Sequence, residues 1–291
     1  MANKLLSFLI VLSTLTLTAC HSSPDTDAGN AASTDSLFAN FETRFLDAYW
    51  QEHPSASIFI GYGKYYDNLV IPDSSSIENN ETFLRQWTDS LAKLDYNALS
   101  DNNKISYSII KNQLESDHWY ESVFKPQEWD PSAYNLSGEC DYLLNQPYAG
   151  LDQKLQFIGK HFRNAPAYYA AALRMLHTPT KEHLQLAILQ NQGGLSVFGQ
   201  ALADSIKASH LTENEKDSLK TTIANTVTAI KAYIDSLKAI DARKQTTFRD
   251  FRIGKKLFAE KFKYDLAIDG TPEELYAKAQ TDLEKDRKSV V

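Results

Sequence analysis

Cysteine, proline and glycine are all scarce in this chain of 291 residues, which has 2, 9 and 11 of them. Two cysteines, at positions 20 and 140, exclude a disulfide-stapled framework. So few backbone breakers exclude a loop-rich or low-complexity protein and favour long regular elements. Excess positive charge is also missing: 30 Lys and Arg face 37 Asp and Glu, giving a net charge of -7. Without a basic stripe to replace phosphate counterions, a nucleic-acid partner is excluded. No His-Glu-x-x-His, Gly-x-Ser-x-Gly, phosphate-binding loop or Gly-x-Gly-x-x-Gly segment occurs, and Gly61-Tyr62-Gly63 lacks the third glycine of the last pattern. The seven histidines are His21, His53, His118, His161, His177, His183 and His210. The nearest approach to a ligand pair, His177 and His183, is interrupted by Pro179, and a separation of six puts the two imidazoles off any shared helical face.

What is present begins with Met1 to Cys20, MANKLLSFLIVLSTLTLTAC. One Lys, a short apolar run and the closing Leu17-Thr18-Ala19-Cys20 read as a signal peptide (1–19) ending on a lipobox, with Cys20 the site of lipid attachment. The apolar run falls short of the roughly 20 residues a membrane span needs. Lipidation of Cys20 leaves Cys140 alone, an inert buried thiol in expectation. His21 to Thr34 is small and polar, so 20–34 reads as the lipidated Cys and a flexible tether, and 35–291 as a helical domain. The residue after Cys20 is His and not the Asp that favours inner-membrane retention, so the outer membrane is the expected address.

The periodicity throughout is helical. Phe41, Phe45, Ala48 and Tyr49 share one face, and Pro54 should end that helix at His53. A second helix is expected over Glu81–Leu94, with Phe83, Trp87, Leu91 and Leu94 inward. A third starts near Ser100–Asn103, with Ile105, Ile109 and Gln113 or Leu114 inward. Trp119, Tyr120, Phe124 and Trp129 gather around Pro126 and Pro131, so Glu121 to Asn145 reads as an ordered, mostly irregular connector; Asp130 and Asp141 near Tyr134 and Tyr142 fit its solvated edge. Further helices are expected over Asp152–Phe162 and Ala165–Leu176, and from Thr178-Pro179-Thr180 through Phe198, where Gly193-Gly194 signals close packing or a kink. Thr212-Glu213-Asn214-Glu215 is a capping box opening a stripe of Leu219, Ile223, Val227, Ile230, Ile234 and Leu237. No repeat near 34 residues is present. The fold class is all-α, an irregular multi-helix array.

Two passages carry a family resemblance. The first runs from Phe41 through His53-Pro54, Ser55 to Ser57, Ile60-Gly61 and Tyr66-Asp67 to Pro72-Asp73. The second is Phe251-Arg252-Ile253-Gly254-Lys255-Lys256-Leu257-Phe258 followed by Thr271-Pro272-Glu273-Glu274-Leu275-Tyr276, where Thr271 caps, Pro272 takes the first helical position and Glu274 completes the box. Together they resemble the bacterial domain of unknown function 885 family, whose members look like helical, zinc-dependent metallopeptidases of the gluzincin kind. The likeness runs from about Ser36 to Leu283 but reaches only the family's amino-terminal half, before the metal-binding helix. It implies half of a larger peptidase-like fold. Zinc and a peptide substrate would belong to the complete protein, with no cofactor or catalytic residue in this stretch. The expectation is a fragment: a lipid-anchored, non-catalytic envelope protein, inactive alone, whose partner is the membrane through Cys20. The alternative is a self-contained helical lipoprotein that holds a ligand in a groove of Tyr62, Tyr65, Tyr66, Trp119 and Trp129.

Overall fold

In a computed structural model, the described residues are 26–289, with side chains described for 34–288. The elements, in order, are α1 (Thr26–Glu52), α2 (Pro54–Phe59), α3 (Ser74–Leu91), α4 (Asp101–Trp119), α5 (Ser137–Asn145), α6 (Leu151–His161), α7 (Ala165–Met175), α8 (Lys181–Gly194), α9 (Gln200–Ala208), α10 (Glu213–Ala242), α11 (Gly254–Leu266) and α12 (Pro272–Ser289). Among the described residues extended pairing is limited to one isolated parallel bridge, Thr180 with Arg249, so the protein is all-α. No described helix is long and apolar enough to cross a membrane.

The strongest sequence signal produces the longest helix. Thr212 Oγ1 accepts from the Glu215 amide while the Glu215 carboxylate accepts from the Thr212 amide, satisfying two of the free donors at the start of α10. Leu219, Ile223, Ile230, Ile234 and Leu237 are buried along α10. They meet α6, α7 and α8 in the main core with Leu155, Ile158, Phe162, Tyr169 and Leu184. A second cluster packs Phe38, Phe41 and Phe45 of α1 against Leu84 and Leu91 of α3 and Ile110 and Leu114 of α4. A third holds Trp119, Phe124 and Trp129, with Leu257 and Tyr264 of α11 lying on it.

Several expectations shift. Helical backbone is already present at Thr26, inside the stretch read as tether, while Cys20 and the signal peptide lie outside the described residues. α3 starts seven residues before Glu81, because Asp73 makes a capping box with Ser76: its carboxylate accepts from the Ser76 amide, and Ser76 Oγ accepts from the Asp73 amide. In α4 the buried face carries Ile110 and Leu114, leaving Ile105 and Ile109 about 60% exposed. The Ile105-Ile109-Gln113 spacing and the Ile110-Leu114 spacing are both helical, and only packing against α1 and α3 chooses between them. The connector is irregular only as far as Leu136. The second half is α5, opened by an Asn135 side chain that accepts from the Ser137 amide. α9 lies in a stretch to which the sequence assigned no element, and the chain leaves α8 at Gly194 through a 3-10 turn. Gly194 is where α8 meets α5: a Cβ there would sit 2.5 Å from Ser137 Oγ.

A candidate cleft at His53

Pro54 decides where His53 goes. Its ring disfavours the helical basin for the preceding residue, and His53 sits at φ -117°, ψ 58° between α1 and α2. The imidazole therefore leaves the α1 stripe and lies against Tyr49, ring centres 4.4 Å apart, and edge-on to Phe83. It lines a cleft of about 330 Å³ together with Glu52, Asn80 and Glu121, walled by Ile77, Pro126, Tyr134 and Met175. The Asp73 cap brings Asn80 there by fixing the start and phase of α3.

Glu121 arrives through an unusual turn. α4 runs into a π-helical turn, Tyr120–Phe124, in which the Lys125 amide bonds the Tyr120 carbonyl at 2.8 Å, one residue further than an α-helix allows. Such insertions turn side chains out of register and gather at functional sites. Lys125 then takes a left-handed conformation, φ 49°, before Pro126; a non-glycine residue there holds strain of about 1 kcal/mol.

Behind the cleft, Asp117 accepts from Tyr49 Oη at 3.2 Å and from Gln113 Nε2 at 2.8 Å. Burial pushes the Asp117 carboxyl above its ordinary range and pushes the Tyr49 phenol up. Burial also lowers the His53 imidazole, against the opposing pull of the Asp117 charge, so the ring is held towards its neutral form. Glu52 and Glu121 are both raised, burial being the largest cause in each. Glu121 accepts only from amides, Asn80 Nδ2 at 3.3 Å and Gln127 Nε2 at 3.4 Å. His53 Nε2 and Asn80 Oδ1 are buried without a hydrogen-bond partner in the protein, which leaves both to meet water or a ligand in the cleft.

The five aromatics named as a groove do not share a surface. Tyr62 and Tyr65 donate to Asp47 Oδ1 at 3.0 and 3.1 Å, joined by Lys64 at 2.6 Å. Tyr66 is in the main core, edge-on to Tyr148 and Phe157. Trp119 and Trp129 are brought together through Phe124. The indole of Trp119 donates to Glu260 at 2.8 Å and that of Trp129 to the Phe124 carbonyl at 2.9 Å, with Arg249 over the Trp129 ring. Their polar atoms are satisfied inside the protein and their rings fill three separate places. Asp130 is spent on capping the Ser132 turn and Asp141 on Asn145, while Tyr134 does line the His53 cleft. His183 takes Thr180 as its partner. Asn80, Glu52 and Glu121 went unremarked in the sequence; the one signal available was the Lys125-Pro126 junction after an aromatic helix.

A zinc ion, implied by the resemblance, does not fit here: among the described residues no three His, Cys, Asp or Glu side chains converge as ligands.

The geometry thus defines an all-α multi-helix array with a small cleft lined in part by Glu52, His53, Asn80 and Glu121. The chain belongs to the family described as bacterial protein of unknown function (DUF885), which matches residues 54–290. It is also similar to the solved structure of a candidate lipoprotein of unknown function from Shewanella oneidensis, at 35% sequence identity and a TM-score of 0.79, covering 85% of this chain and 46% of that one. The chain therefore spans about half the length of that relative. No curated protein matches it.

Proposed function

We propose that this chain forms the amino-terminal, non-catalytic half of a lipid-anchored cell-envelope hydrolase of the zinc metallopeptidase type, and that alone it cleaves no peptide. Lipid on Cys20 ties it to the membrane, the outer membrane in preference to the inner because His21 follows. In the complete protein the metal and its ligands come from the other half, and a peptide is the substrate.

The observation that carries this reading is the state of the last two helices. α11 has no buried residue, and every described side chain of α12 after Pro272 is exposed, including Leu275, Tyr276 and Leu283. Leu266 and the α4 residues Ile105 and Ile109 are exposed as well. A helix of the length of α12 is marginal in water without a packed face, and exposed apolar side chains such as these are what an interface covers. That the Shewanella relative is matched over 46% of its length supports a further half that could cover them. Purified full chain should show no chelator-sensitive peptidase activity and should self-associate in analytical ultracentrifugation. Zinc-dependent cleavage, or a clean monomer, would refute the reading.

A second reading, a binding role for this half itself, is favoured by the His53 cleft with its two unpartnered buried atoms. The five aromatics do not support it, since each is occupied elsewhere.

A further inference from the structure

Two carboxylates of the His53 cleft, Glu52 and Glu121, form no ion pair among the described residues. For Glu52 burial is the sole influence on the carboxyl. Glu121 has two neutral amides, while Glu81 and Asp117 add negative charge around it. Lys125 is the one cation that acts on Glu121, as the smallest of the influences on it, and its ion pair is with Glu128 at 3.6 Å. The imidazole of His53 is depressed by burial and its electrostatic partner is Asp117 behind the cleft, and Asn80 Oδ1 is an acceptor lacking a donor in the protein. The donors of the wall, on Ser76, Asn80, Gln127 and Tyr134, are spent on acceptors within the protein, and its apolar part includes Ile77, Pro126 and Met175. Carboxylates left half-buried and unpaired are unfavourable, and a charge-assisted N–H donor is what relieves them. A volume of about 330 Å³ is of the size that takes a small organic ligand.

We propose that this cleft binds a small apolar primary amine as its ammonium ion, the ammonium between Glu52 and Glu121 and the hydrocarbon part against Ile77, Pro126 and Met175. The assignment rests on the second reading above, a binding role for the cleft. It fixes the chemistry of the ligand's head, which a free alkylamine and the amino end of a short peptide share.

The test uses the full chain in a non-ionic detergent, titrated calorimetrically with n-butylamine, n-butanol, leucinamide and N-acetyl-leucinamide. The expected result is binding of n-butylamine at least about tenfold tighter than n-butanol, and loss of that preference in Glu121→Gln. Leucinamide binding while its acetylated form does not would assign the head group to a peptide amino end; binding of n-butylamine alone would assign it to a free alkylamine. Glu52→Gln, with circular dichroism confirming the fold of both variants, gives an independent loss. Equal binding of the amine and the alcohol would overturn the amine assignment and leave an apolar cleft. No binding of any of the four would overturn the second reading with it.

Discussion

Gly194→Ala tests how α5 and α8 are held together. Gly194 has ordinary helical geometry at the end of α8, so a change to Ala there needs no new backbone conformation and should gain up to about 1 kcal/mol of helix propensity. Its Cβ, however, would fall 2.5 Å from Ser137 Oγ and 2.6 Å from Ser137 Cβ. Ser137 cannot swing aside cheaply, because Oγ donates to Asn135 Oδ1 at 2.7 Å and the Ser137 amide donates to the same oxygen. Overpacking of this kind costs about 1–3 kcal/mol. The neighbouring Gly193, whose added Cβ would meet nothing within 4 Å, carries the propensity gain without the clash. The difference between Gly194→Ala and Gly193→Ala therefore isolates the steric cost, about 1–3 kcal/mol, which is several degrees in melting temperature for a domain of this size. Urea or thermal unfolding of both variants reads it, and Ser137→Gly combined with Gly194→Ala should recover part of the loss. Equal stability of the two single variants would show that α5 and α8 do not approach this closely.

Three further perturbations bear on buried groups. His161 is fully buried, with Nδ1 donating to the Tyr66 carbonyl at 3.1 Å and Nε2 2.5 Å from Glu139, which also accepts from Ser55; His161→Ala strands a buried carboxyl and should cost about 3–5 kcal/mol in chemical denaturation. Glu121 holds its proton more tightly folded than unfolded, so the folded state binds more protons and stability falls as pH rises from the ordinary carboxyl value near 4.5 through the raised one. Glu121→Gln should accordingly flatten that fall, equalling the parent at acid pH and matching or exceeding it near pH 7; a variant weaker at neutral pH would contradict it. The Cys140 thiol is fully buried and pushed up by burial, with Asp141 and Glu139 adding to it; a thiol reagent should label it only after denaturation, and labelling of native protein would place it wrongly.

The sequence alone determined the elements whose signals are local. Thr212 with Glu215 and Thr271 with Glu274 close their boxes as written, and Pro54 ends α1 where the chain said it must, because caps and proline act within four residues. The all-α class followed from the same short-range periodicity. Tertiary structure alone decided which of two adjacent stripes of α4 turned inward, since Ile105-Ile109 and Ile110-Leu114 are equivalent until α1 and α3 choose. It also decided the site: Glu52, Asn80 and Glu121 come from the end of one helix, the middle of another and a π-turn, and their burial without an ion pair among the described residues exists only once those segments meet. Charge and desolvation depend on neighbours in space, which a linear pattern does not contain.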